Sequence, residues 1–184
     1  MKRFPPVSEL TPERFEHQVK VWLESVATPL EAFSAKHADS LTGADGEYTI
    51  DVTARFKAFG GASFLLVVEC KKHKNSIKRE VVQVLHAKQQ SLGAQKAMVF
   101  STSSFQSGAI DYANEHGLAL VQVVSGQVIY VQANARRELR PIPESAEDYA
   151  GFFYGPNPNG RLVYPEVVSS NTTTGLAWFL GIEQ

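Results

Sequence analysis

Apolar residues recur at helical spacing near the start of the chain and at strand spacing through its middle. Phe15, Val19, Trp22 (or Leu23) and Val26 form one stripe, with Thr11 placed to cap a helix, Pro12 at its first position and Pro29 beyond its end. A first strand is expected near Leu30 to Lys36. Glu47 to Phe56 (EYTIDVTARF) is rich in β-branched and aromatic residues, and Ser63 to Cys70 (SFLLVVEC) is a short apolar run. Both read as strands, joined by a turn at Phe59-Gly60-Gly61. A helix follows from about Ile77 to Leu92, with Ile77, Val81, Leu85 and Leu92 packing inward and Gly93 stopping it. Lys88 falls in the same stripe, so its stem is expected to skirt the core. Ala97 to Ser101 reads as a strand, Gln106 to Glu115 as a helix closed by His116-Gly117, and Leu118 to Val124 as another strand.

Strand, helix, strand, helix, strand implies parallel pairing through right-handed crossovers. The expected fold is α/β, a mixed central sheet flanked by helices with the antiparallel hairpin on one side. Val128 to Val131 could add an edge strand. Beyond Arg140, Pro141, Pro143, Pro156, Pro158 and Pro165 with Gly151, Gly155 and Gly160 deny long regular elements. Phe152, Phe153, Tyr154, Tyr164, Trp178 and Phe179 persist there and call for cover, by the domain, a dimer or another partner. Plain packing is favoured over base stacking for Phe152, Phe153 and Tyr154. The division expected is a core over 1–135 and a Pro/Gly/aromatic-rich extension over 136–184.

The chain has 184 residues, 43% hydrophobic and 20% charged, which suits one globular unit. A single cysteine excludes an intramolecular disulfide, and no apolar run reaches a membrane span, so a cytoplasmic protein is expected. A net charge of −1 gives no overall pull toward nucleic acid and leaves room only for local patches.

One candidate chemistry stands out. A three-residue loop at 59–61 makes paired positions sum to 120, which sets Asp51 opposite Glu69, with Lys71 next on the same face. Opposed carboxylates repel, and a hard cation relieves them. Mg²⁺, with Mn²⁺ as a substitute, fits Asp51, Glu69 and the Cys70 carbonyl, while the Lys71 ammonium assists water activation or neutralises charge. The plainer reading takes them as ordinary sheet-edge charges. Glu16 and Glu47 are left open as further metal positions, Glu16 otherwise favouring the helix N-terminus and Asp45-Gly46 a turn. Lys72, Lys74, Lys78 and Arg79 follow the second strand and are candidates for phosphate contact; Arg136, Arg137 and Arg140 are weaker ones. The five histidines lack paired metal spacing, and Cys70 points to the opposite face as a small buried thiol.

Several stretches resemble the PD-(D/E)xK nuclease superfamily and, within it, Mrr-like restriction endonucleases. Phe15-Glu16 opens the first helix, Asp45-Gly46-Glu47-Tyr48-Thr49-Ile50-Asp51 is similar to the family's D-G-x-x-x-I-D approach, and Val68-Glu69-Cys70-Lys71 to its V-x-C-K strand. Gln83 matches a helical glutamine that borders the family's active site. Phe100 to Phe105 with Ala109 and Ala113 resembles its strand, Ser/Thr-rich turn and Ala-rich helix. The resemblance covers roughly residues 12 to 124, and the winged helix of full-length Mrr proteins has no counterpart here. It implies a restriction-endonuclease-like core and a Mg²⁺-dependent DNA endonuclease in which Asp51 and Glu69 hold metal, Lys71 assists and Gln83 supports the nucleophile or the lysine. A homodimer and a separate DNA-recognition subunit are left open as partners. The alternatives are a non-catalytic nucleic-acid-binding or assembly module that keeps the fold, and an enzyme for RNA or branched DNA.

Overall fold

The computed structural model describes residues 9–27, 30–58, 60–125, 149–155, 166–168 and 179. Thr11 caps the first helix, α1 (Pro12–Val26), its Oγ1 accepting the Arg14 N–H at 3.2 Å. Three antiparallel strands follow: β1 (Glu31–Thr42), β2 (Glu47–Ala58) and β3 (Ala62–Lys71). Then come α2 (Arg79–Ser91), β4 (Lys96–Ser101), α3 (Ser107–His116) and β5 (Ala119–Ser125), with β3, β4 and β5 mutually parallel. Gly117 ends α3 at φ 70°, the left-handed conformation that glycine adopts without a Cβ penalty.

From the C-terminal part of the chain, β6 (Tyr149–Tyr154) pairs antiparallel with β5, and β7 (Glu166–Val168) with β6. The seven strands lie in sequence order. Phe153 and Phe179 join the core, their rings meeting edge to face at 6.0 Å, and Tyr154 meets Phe105 in the same way. From the described part of the extension, β6 and β7 thus extend the sheet and Phe179 packs against its core. Val128 to Val131, Tyr164, Trp178 and the arginines at 136, 137 and 140 lie outside the described residues.

Two apolar layers sandwich the sheet. Beneath α1, Phe15, Val19 and Leu23 meet Val52, Ala54, Phe56, Leu66, Val68, Cys70 and Phe100. On the other side, Val82 and Leu85 of α2 and Ala109 and Ala113 of α3 cover Ile50, Val67, Val99 and Leu120. β1 runs to Thr42, well past the expected Lys36, because it is an edge strand whose only fully buried residue is Asp39; there is little apolar alternation in its sequence to read.

Candidate active site

The hairpin register matches the sequence expectation: Ala58 faces Ala62, Thr53 faces Val67 and Val52 faces Val68, each pair summing to 120. Gly60 and Gly61 take positive φ at the turn, which permits the tight reversal. Past Val52 and Val68 the strands part. β2 stays paired with β1 through Glu47, while Glu69, Cys70 and Lys71 pair only with β4. Asp51 and Glu69 stand at this fork.

Strict alternation fails at Asp51, and the expected ladder pair of Asp51 opposite Glu69 is not formed, since the register ends at Val52 and Val68. Ile50 packs under α2 and α3, whereas Val52, two residues on, packs under α1. The strand therefore turns over at Asp51. On the paired strand β1, Ala38 adopts φ 49° between the partners of Val52 and Ile50, His37 and Asp39. A non-glycine residue in that region is a strained position of the kind found around functional sites. As a result the Asp51 carboxylate reaches across to β3, where Oδ2 accepts the Cys70 N–H at 2.7 Å, a bond that replaces the lost ladder.

Glu69 carries a different load. Its Oε1 accepts from Lys71 Nζ at 2.5 Å and its Oε2 from Lys88 Nζ at 3.1 Å, so each oxygen of a largely buried carboxylate has its own ammonium. The two carboxylates are driven apart electrostatically. Burial pushes the Asp51 pKa up, and the nearby Glu69 and Glu16 charges add to that against the Cys70 N–H and Lys71. For Glu69 burial also acts upward, but Lys71 and Lys88 outweigh it and hold the group below its ordinary value. Lys71 is held above its ordinary value by Glu69 and Asp51, despite burial acting the other way, so it remains an ammonium.

Around this centre the other candidates separate. Glu16 of α1 lies close enough to act on Asp51 and bonds His37 Nε2 at 2.7 Å, with the His17 ring 4.0 Å from that of His37. Glu47 opens β2, exposed and four residues from Asp51, about 13 Å along a strand. Gln83 is also not brought to the cluster: it is exposed on α2, roughly 200° around the helix from buried Leu85. Lys88 takes the helix position facing Glu69. The signal was in the sequence, since a lysine in the inward stripe of α2 needs an anion to meet. Cys70 is 7% exposed among the residues beneath α1, and burial raises its thiol pKa well above the ordinary value. Asp45 serves the turn: its Oδ1 accepts from Tyr48 Oη at 2.8 Å and from Ser91 Oγ, tying the β1–β2 turn to the end of α2.

The lysine-rich segment after β3 is held in place. Thr102 Oγ1 donates to the His73 carbonyl at 3.2 Å, Ser103 Oγ to the Asn75 carbonyl at 2.8 Å, and Ser76 and Ser104 hydroxyls meet at 2.7 Å. Ile77 N–H donates to the Ser104 carbonyl and Gln106 N–H to that of Ile77. The Ser/Thr-rich turn after β4 is therefore a buttress for the basic loop. Lys74 and Lys78 are exposed on it, and the Arg79 guanidinium lies 5.0 Å from the centre of the Tyr112 ring.

The donor set suits a hard cation, because two carboxylates and a strand carbonyl offer oxygen only, and the one thiol faces away. Among the described residues no group of three or more His, Cys, Asp or Glu side chains forms a self-contained cage. Mg²⁺ does not require one, since it keeps waters and takes substrate phosphate oxygens. No described helix is long and apolar enough to cross a membrane.

Comparison with known proteins adds a family. The family model Mrr_cat, described as restriction endonuclease, matches residues 7–129. A solved structure titled as that of a protein of unknown function, AF1548, aligns at 21% identity with a TM-score of 0.47. The alignment covers 58% of this chain and 56% of that one. No match was found among curated proteins.

Proposed function

From its membership of the Mrr_cat family of restriction endonucleases, a nuclease-type hydrolase family whose model spans residues 7–129, we propose that this chain is a divalent-metal-dependent DNA endonuclease with its site at the β2–β3 fork. The observation that carries the reading is the convergence of Asp51, Glu69 and Lys71 where the two strands part. Asp51, Glu69 and the Cys70 carbonyl would hold the cation, with Glu16 in reserve from α1. When bound, Mg²⁺ or Mn²⁺ would supply charge neutralisation at the scissile phosphate and acidify water. Within the chain, the Cys70 N–H fixes the Asp51 carboxylate, and Lys71 holds an ammonium beside Glu69 that would offset negative charge on the phosphoryl oxygens. Lys72, Lys74 and Lys78 would grip flanking phosphates. Gln83, exposed and away from the cluster, has no part in this reading.

Plasmid, linear, branched and single-stranded substrates with Mg²⁺ or Mn²⁺ test it. Asp51→Ala and Lys71→Ala are each expected to lower cleavage by at least about 10²-fold while keeping the wild-type circular dichroism. Lys57→Gln, an exposed charge at the far end of β2, is expected to cleave as wild type. Undiminished cleavage by Asp51→Ala or Lys71→Ala would overturn the assignment.

A further inference from the structure

Glu69 binds two ammoniums, and the proposed reaction uses only Lys71. Lys88 comes from another element, α2, and its side chain is 20% exposed, so solvent screens the contact only in part. Its position in the helix is one that apolar packing would otherwise fill, between buried Leu85 and partly buried Leu92. Burying the stem of a lysine there leaves its charge to be matched by an anion. Glu69 Oε2 is that match at 3.1 Å, while Oε1 is held by Lys71. With both oxygens occupied, Asp51, Glu69, Lys71 and Lys88 sum to zero formal charge. A cation approaching Glu69 meets not a bare carboxylate but one already saturated.

We infer that Lys88 is a positioning residue that guards Glu69: it occupies Oε2 in the free protein, opposes the divalent cation there, and gives way when a substrate phosphate offers its ammonium another anion. Cation and DNA binding are thereby coupled. A cation alone must displace Lys88 or bind beside an uncompensated positive charge, whereas with DNA the displaced ammonium finds a phosphate. The inference rests on the reading of Glu69 as a metal-holding carboxylate, and the experiment keeps the two separable.

The test is Mn²⁺ affinity, measured by electron paramagnetic resonance on the full chain without DNA and with an uncleavable phosphorothioate duplex. In wild type, DNA is expected to tighten Mn²⁺ binding. Lys88→Gln, which removes the guarding charge, is expected to bind Mn²⁺ about 10-fold more tightly than wild type without DNA and to lose most of the DNA effect. Lys88→Arg should stay near wild type, and Lys57→Gln, one positive charge removed elsewhere, should not tighten. Lys88→Met gives the same readout should glutamine disturb α2. Unchanged or weaker Mn²⁺ binding by folded Lys88→Gln and Lys88→Met would overturn the guard role. Glu69→Gln identifies the source of a failure: if it weakens Mn²⁺ binding, only the Lys88 inference falls, and if it leaves binding unchanged, the metal reading of Glu69 falls with it.

Discussion

At the scale of single residues, Asp51 sits where the fold compromises most. Its carboxylate is half-buried, burial raises its pKa, and its one described hydrogen bond is from the Cys70 N–H. Glu69 repels it less than two bare carboxylates would, since Lys71 and Lys88 compensate Glu69. Asp51→Asn keeps an acceptor for the Cys70 N–H and removes the buried charge. The free protein should gain on the order of 1 kcal/mol, or about 2–4 °C in Tm for a chain of this size. The sign with pH follows from the raised pKa. The folded state holds the proton more tightly than the unfolded one, so the aspartate's penalty is absent below the ordinary value of 3.8 and grows as pH rises toward the folded pKa. The advantage of asparagine should therefore vanish in acid and be full near neutrality, while the Mg²⁺-induced rise in Tm is lost. Melts at several pH values check this, with exposed Glu31→Gln as control. An asparagine variant that melts below wild type at pH 7 would show that the carboxylate is not a destabilising site.

At the scale of elements, much was legible because the signals are local. Thr11-Pro12 marks the start of α1, His116-Gly117 the end of α3, and the two glycines of the hairpin set a register the structure reproduces. Less visible was what depends on two elements at once. The turnover of β2 at Asp51 coincides with a left-handed Ala38 on β1, and alanine carries no sequence mark of that conformation. Lys88 was visible as a lysine in an apolar stripe, but its partner lies on a strand nineteen residues earlier. The Ser/Thr turn likewise resembled a family feature before its work could be seen, which is to hold the basic loop. Ser103 is central to that work: 8% exposed, it donates to the Asn75 carbonyl and receives the Ser101 hydroxyl within 3.1 Å. Ser103→Ala leaves the Asn75 carbonyl short of a donor, so a loss of about 1 kcal/mol in stability is expected. Amide exchange over residues 72–78 should rise in the same variant and DNA affinity should fall, although no charge has changed. Wild-type exchange in that loop would mean that backbone bonds such as Ile77 to Ser104 suffice alone.

At the scale of the whole molecule, the attraction to DNA that the proposed function requires cannot come from net charge, which is −1. It has to come from where charges stand. The three parallel strands β3, β4 and β5 end on one side of the sheet, and the loops after β3 and β4 are laced together there, with Lys74 and Lys78 facing solvent. Open α/β sheets bind ligands at these carboxyl ends, and the basic loop continues the chain directly from Glu69, Cys70 and Lys71 at the end of β3. Replacing Lys72, Lys74 and Lys78 together with glutamine takes the net charge from −1 to −4 and should weaken duplex binding. Long-range repulsion alone would also weaken it, so affinity at one salt concentration does not decide the matter. The salt dependence does. Each direct phosphate contact contributes about 0.9 to the log–log slope in duplex DNA, and loss of all three should flatten it by roughly 2.7. A matched triple change at Lys20, Lys36 and Lys57, which sit on α1, β1 and β2, gives the same net charge and should flatten the slope far less. If both triple variants show the same slope, the lysine loop acts through the general field of the molecule and the DNA path lies elsewhere.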